Sequence, residues 1–148
     1  MFLVSRKCSG FTLIELMIVI AIISILSSIL APNFVRVRAQ GHLIACKSNL
    51  KNIATCCELY AIDHDGRYPQ SLSVLTEVSM GGYLKQIPTC PEVGSDTYSG
   101  NYVSQANPDM YTIFCAGLNH TAVGLEENMP LFDSVHGLCT TEEEAHRG

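Results

Sequence analysis

Between Phe11 and Ala31, 16 of 21 residues are apolar, the exceptions being Thr12, Glu15, Ser24, Ser27 and Ser28. Wound as an α-helix at about 1.5 Å per residue, this run reaches about 31 Å, the thickness of a bilayer's hydrocarbon core. One membrane span is therefore expected. A chain of 148 residues has room beside that span for one small domain of about 100 residues. The expected organisation is a short basic leader (1–10), a spanning helix (11–31) and a soluble head (32–148).

The leader carries Arg6 and Lys7, as a secretory signal peptide would. Such a peptide has a shorter apolar core of about 7–15 residues and a small-residue cleavage site after it. Here Pro32 follows the small residues at once, which makes a poor site for that cut. Arg36 and Arg38 on the far side balance Arg6 and Lys7, so charge counting alone leaves orientation open. Glu15 is the unusual residue, because an acidic side chain at the centre of a span costs about 2.5–3.5 kcal/mol and less near its end. One reading lets it snorkel to the interface. The other pairs it with a cation: a cut between Gly10 and Phe11 would create an amino terminus one helical turn away, able to compensate a neighbour's carboxylate and fix axial register.

Gly10, Phe11, Thr12, Leu13, Ile14, Glu15, Leu16 and Met17, with a basic leader before them and an apolar run after, resemble the amino-terminal signal of type IV pilins and type II secretion pseudopilins. The resemblance implies a pilin-like α+β fold, cleavage after Gly10 by a prepilin peptidase, N-methylation of Phe11 and a polymer-forming role for Glu15. Methylation keeps the amine charged, which agrees with the pairing argument. Pro32 falls where many such subunits carry a proline, in a stretch that can lose helicity inside a filament. Its missing N–H and ring clash make it a local weak point of the helix. The implied partners are further copies of the chain in a helical filament, the peptidase, an assembly platform in the inner membrane, and the membrane itself. The implied location is the inner membrane with the head outside the cytoplasm, then the filament.

Beyond the proline, Leu43, Cys46, Leu50, Ile53, Cys57 and Tyr60 recur at spacings of three and four. That period predicts one amphipathic stripe, and with the span a single helix from Phe11 to Ile62, about 78 Å long and bent or loosened near Pro32. Asp63, Asp65, Gly66 and Pro69 should end it. Asp63 and Asp65 resemble a fragment of a calcium loop, but the remaining ligands and the distal Glu are missing. The Arg67-Tyr68-Pro69 that follows is similar to the same region of major pseudopilins. Ser71–Ser79 reads as a short helix capped by Ser71. Thr97–Ser104 and Met110–Cys115 read as antiparallel strands joined by a turn at Gln105–Asp109, with a further strand near Leu131–Val135. Glu142, Glu143 and Glu144 read as a solvated, mobile tail.

Seven cysteines are many for this length. Cys8 would leave with the leader, and export to an oxidising compartment would favour disulfides among the rest. Cys46 and Cys57 share a helix face about 16 Å apart, beyond the reach of a bridge. Cys56 and Cys57 are neighbours in one helix and should not pair. One bridge among Cys90, Cys115 and Cys139 is expected; either adjacent pairing is worth about 3–4 kcal/mol in the chain-entropy model. Cys115 with Cys139 would resemble the carboxy-terminal disulfide loop of many pilins, whereas Cys90 with Cys115 would pin the proline-rich loop to the sheet. Cys46 and Cys57 read as small buried hydrophobes.

No close Cys-x-x-Cys pair marks a zinc site, the nearest approach being Cys115 and His120. No local signature supports a Cys–His nucleophile, and His42, His64, His120, His136 and His146 read as structural. The expectation is a chain that is no enzyme and carries no cofactor, the alternative being calcium at the Asp63–Asp65 turn. The net charge is −5, and a chain without Arg6 and Lys7 would have seven basic against 14 acidic residues, or −7, which argues against nucleic-acid binding. The function expected is that of a structural filament subunit, of a pilus or a secretion pseudopilus. The competing reading is a monomeric, single-span anchored module that binds a ligand or metal and never polymerises.

Overall fold

The computed structural model describes residues 10–106, 109–141 and 144. The chain forms two compact units that divide between Val35 and Arg36. Helix α1 (Leu13–Asp63) contributes to both. In the first unit it carries a coat of apolar side chains that are all exposed, as expected of a segment built for a non-aqueous setting.

The second unit begins on the amphipathic half of α1, where the stripe read from the sequence is buried. Cys46, Leu50, Ile53 and Cys57 are fully enclosed, together with Ala54. The helix closes in a left-handed turn, with Asp65 at φ 56° and Gly66 at φ 82°, in which the Gly66 N–H donates to the Ala61 carbonyl at 2.8 Å. That bond satisfies one of the carbonyls a helix end leaves free. Glycine takes this conformation without penalty.

Against the stripe lies a four-stranded antiparallel meander, β1 (Tyr102–Ala106), β2 (Asp109–Phe114), β3 (Leu131–Asp133) and β4 (Gly137–Cys139), in that spatial order. In β2, Tyr111 and Ile113 face the core and Met110, Thr112 and Phe114 lie at the half-exposed positions between them, the two-residue period of a sheet with one buried face. The Tyr111 hydroxyl donates to the Ala54 carbonyl at 3.4 Å and to Glu58 at 3.3 Å. The Tyr102 hydroxyl donates to the Pro69 carbonyl at 2.8 Å. Tyr111 is thus buried and Tyr102 half-buried against the core, each with its polar end satisfied. The one-helix, small-sheet α+β arrangement expected from the sequence is the one observed.

Four details differ from expectation. α1 is helical without interruption across Pro32, so no loosening is seen there; ending a helix would orphan several backbone groups on each side, against one lost by the proline. Ser71–Ser79 does not form one α-helix but two 3₁₀ turns, Leu72–Thr76 and Val78–Met80, separated by extended Glu77. The Ser71 hydroxyl pairs with that of Ser73 at 2.8 Å and caps nothing, and Ser, Val and Thr hold an α-helix weakly. The first strand starts later than Thr97, because the Asp96 carboxylate accepts the N–H groups of Tyr98 and Ser99 and folds 99–101 into a 3₁₀ turn. Strand β4 has no counterpart in the sequence reading: three residues are too few to show alternation, and Asp133 makes the turn before it by accepting the N–H groups of Val135 and His136. The leader with Cys8, the centre of the turn at Gln105–Asp109, and Glu142 and Glu143 lie outside the described residues. Glu144 accepts the Thr140 N–H at 2.7 Å.

Candidate functional site: the start of the helix and a buried cysteine cluster

Gly10 and Phe11 precede α1 and are exposed, Phe11 to 73%. Thr12 is the residue before the helix, and Glu15 lies in its first turn. The Thr12 N–H donates to the Glu15 carboxylate at 2.8 Å and its hydroxyl donates at 2.6 Å, while the Glu15 N–H donates back to the Thr12 hydroxyl at 3.3 Å. This is a reciprocal capping box, and a carboxylate there also suits the positive end of the helix dipole. Its signal, Thr-x-x-Glu before an apolar run, stands in the sequence at 12–15, and a reading of Glu15 as a membrane charge alone misses it. Glu15 therefore has a partner inside its own chain. A carboxylate has about four acceptor positions, so capacity for a further cation remains. The side chain of Pro32 lies outside the description.

In the second unit the structure brings together four donors that lie far apart in sequence. Cys46, Cys90, Cys115 and His120 place their ligating atoms within 4.8 Å of one another, and all four are buried. Each comes from a different element. Cys46 stands on α1. Cys90 opens a loop held by Gly94 N–H to Cys90 O at 2.7 Å and Cys90 N–H to Ser95 O at 2.9 Å, and Asn49 of α1 reaches the neighbouring Thr89 carbonyl at 3.0 Å. Cys115 follows β2 and donates its N–H to the Pro130 carbonyl at 3.1 Å. His120 precedes a 3₁₀ turn (Thr121–Val123) that closes back on its carbonyl.

The Sγ atoms of Cys90 and Cys115 are 3.5 Å apart, and His120 Nε2 lies 3.8 Å from the first and 3.7 Å from the second. The Tyr98 hydroxyl donates to Cys46 Sγ at 3.2 Å, and Asn119 Nδ2 donates to Cys115 Sγ at 3.7 Å. Thr97 Oγ1 is 3.3 Å from Cys115 Sγ. The Cys46 thiol beside it, helped by His120, Thr97 and Asn119 and opposed by burial, pulls the Cys115 thiol below the ordinary thiol range. The same contact, together with burial, pushes Cys46 up. Cys57, on the same stripe, is pushed up to about 12 by burial and behaves as an inert core residue.

Cys90 and Cys115, two of the three candidates for a bridge, are thus neighbours, whereas Cys139 lies in β4 outside the cluster, its thiol directed to the Gly137 carbonyl at 3.8 Å. All six cysteines described are free thiols. Sequence reasoning gives Cys46 and His120 only structural roles, since no spacing joins them to Cys90. Among the described residues this cluster is the only such gathering of His, Cys, Asp or Glu donors. At the calcium-like turn, Asp63 instead accepts the Tyr83 hydroxyl at 2.7 Å.

Residues 5–31 match the pattern described as the prokaryotic N-terminal methylation motif. The type II secretion system core protein G of Pseudomonas aeruginosa is 33% identical over 99 residues, 58% of this chain and 69% of that protein. The chain belongs to the type IV pilin and pseudopilin family. Its likeness to the core protein G of Aeromonas hydrophila, at 29% identity, spans 79% of this chain and 87% of that protein. The type IV wide pilus major component PilA4 of Thermus thermophilus is 39% identical over 56% of this chain and 60% of its own length. No solved structure matches the chain significantly.

Proposed function

We propose that this pilin-family chain is a filament subunit, held in the inner membrane by residues 11–31 until it polymerises through those same residues. The observation that carries the reading is the first unit itself. Every described side chain from Phe11 to Ala31 is exposed, most of them apolar, and such a surface is stable in lipid or against copies of itself and not in water. Cleavage between Gly10 and Phe11 by a prepilin peptidase, followed by methylation of the new amine, supplies an ammonium cation next to Thr12. In the monomer Glu15 is stabilised by the capping box. In the filament its carboxylate additionally meets the ammonium of a neighbouring Phe11, which fixes the axial step. Pro32 supplies the segment that loosens on packing. The head faces the outside of the cytoplasm, an assembly platform in the inner membrane supplies the work, and the chain's own role is structural, in a pilus or a secretion pseudopilus.

The test separates cap from register. Glu15→Ala should abolish filament growth while the head folds, whereas Thr12→Val, which removes the hydroxyl arm of the cap and keeps the carboxylate, should still assemble. Equal loss in both variants would reduce Glu15 to a helix cap. Filament growth by Glu15→Ala would favour the anchored monomer.

A further inference from the structure

We propose that Cys46, Cys90, Cys115 and His120 form a tetrahedral site of three sulfurs and one nitrogen for a soft divalent cation, zinc above others, which fastens α1 to the loops flanking the sheet. The inference lies within the second unit and is independent of the filament reading.

Geometry is the first argument. Bond lengths of about 2.3 Å to sulfur and 2.0–2.1 Å to nitrogen at tetrahedral angles place ligands about 3.8 Å apart for a sulfur pair and about 3.6 Å for sulfur and nitrogen. The observed separations are 3.5 Å between Cys90 and Cys115 and 3.8 and 3.7 Å from their sulfurs to Nε2. Cys90, Cys115 and His120 thus form one face of a tetrahedron of the right size, and Cys46 Sγ lies within 4.8 Å of all three. The lack of a Cys-x-x-Cys pair is no obstacle, because such a pair only provides locally the convergence that the tertiary fold provides here.

Chemistry is the second. His120 is 2% exposed, and the partners its ring finds are the sulfurs of Cys90 and Cys115 at Nε2. Two thiols are weak donors to that atom, and a cation is a strong Lewis acid. The sulfurs are themselves surrounded by Tyr98, Asn119 and Thr97. Neutral thiols accept hydrogen bonds poorly, whereas metal thiolates carry the negative charge that such donors disperse. Three thiolates and a divalent ion leave one net negative charge, facing those donors.

Architecture is the third. The head has short strands, two of them of three residues, and no described disulfide. Small domains of this kind commonly depend on a staple, and four ligands from four elements supply one. Coordination would also shield Cys90 and Cys115 from oxidation to each other, the competing fate of two thiols at this distance.

The experiment uses the full chain in detergent, purified from its host without chelator. Intact and metal-analysed protein should contain about one zinc per chain, and chelator should release it while raising the alkylation rates of Cys46, Cys90 and Cys115 by a larger factor than those of Cys56, Cys57 and Cys139. Cys90→Ser and His120→Ala should lose the zinc, and Cys139→Ser should keep it. Should the variants misfold, cobalt alone added to chelated wild-type protein gives a second readout, with thiolate charge-transfer and tetrahedral absorption bands expected at one equivalent. Metal-free native protein with a Cys90–Cys115 cross-link in its peptide map would overturn the proposal. So would zinc that persists in both Cys90→Ser and His120→Ala, or wild-type protein that takes up no cobalt.

Discussion

Single carboxylates set the turns of this chain, and pH reaches them individually. Burial pushes Asp133 up, and the His136 N–H, the His136 ring and the Val135 N–H more than offset it, so the carboxyl titrates below its ordinary value. Burial likewise raises Asp96 and is outweighed by the Ser99 hydroxyl and the N–H groups of Ser99 and Tyr98. With a depressed folded pKa, the unfolded chain binds more protons in the interval up to its own value of about 3.9. The contribution is therefore present in full above that value and is lost as pH falls through the folded pKa. Acid unfolding followed by tyrosine fluorescence should show this loss below about pH 4, and the pair Asp96→Asn and Asp133→Asn should flatten it. An unchanged acid limb in the double variant would contradict the assignment. At this scale the sequence is legible only where partners are local. Thr12 and Glu15 stand three residues apart, within reach of a motif search; Cys46 and His120 have partners that only tertiary folding brings near.

Helix α1 is the element most fully written in the sequence, because its two surfaces follow from one period. Continuous apolar residues to Ala31 and a stripe from Leu43 onward foretell one exposed coat and one buried face, and both are observed. Leu50 is fully enclosed, so Leu50→Ala should cost the head about 2–5 kcal/mol in denaturant unfolding, through lost burial and the cavity left behind. Ile44 is 68% exposed on the same helix, and Ile44→Ala should stay within about 0.5 kcal/mol. Equal losses would mean that the stripe does not form the core. The sheet is legible where alternation runs long enough, as in Tyr111 and Ile113 of β2, and illegible in the three residues of β4. The 3₁₀ turns after Ser71 are hidden because weak helix formers leave the outcome to packing.

At the scale of the molecule, the two units divide the labour. The first exposes an apolar helix that no surface of its own unit covers, headed by a cap whose carboxylate keeps room for one more cation. The second closes a small core around Leu50, Ile53 and Tyr111 and gathers four soft donors beside it. The family signal can be read from residues 10–17 and the fold class from the stripe and strands beyond, whereas the donor cluster can be read only in part: Cys90 and Cys115 are candidates for one bridge, but nothing in the sequence joins Cys46 to them until the loop at Cys90 docks on α1. The central claim concerns the first unit: cutting the chain at Gly10 creates the cation that Glu15 binds across subunits. The most direct measurement is the intact mass of the protein in filaments sheared from its native host. The predicted chain begins at a singly methylated Phe11; functional filaments built of chains that retain Met1 would contradict the account.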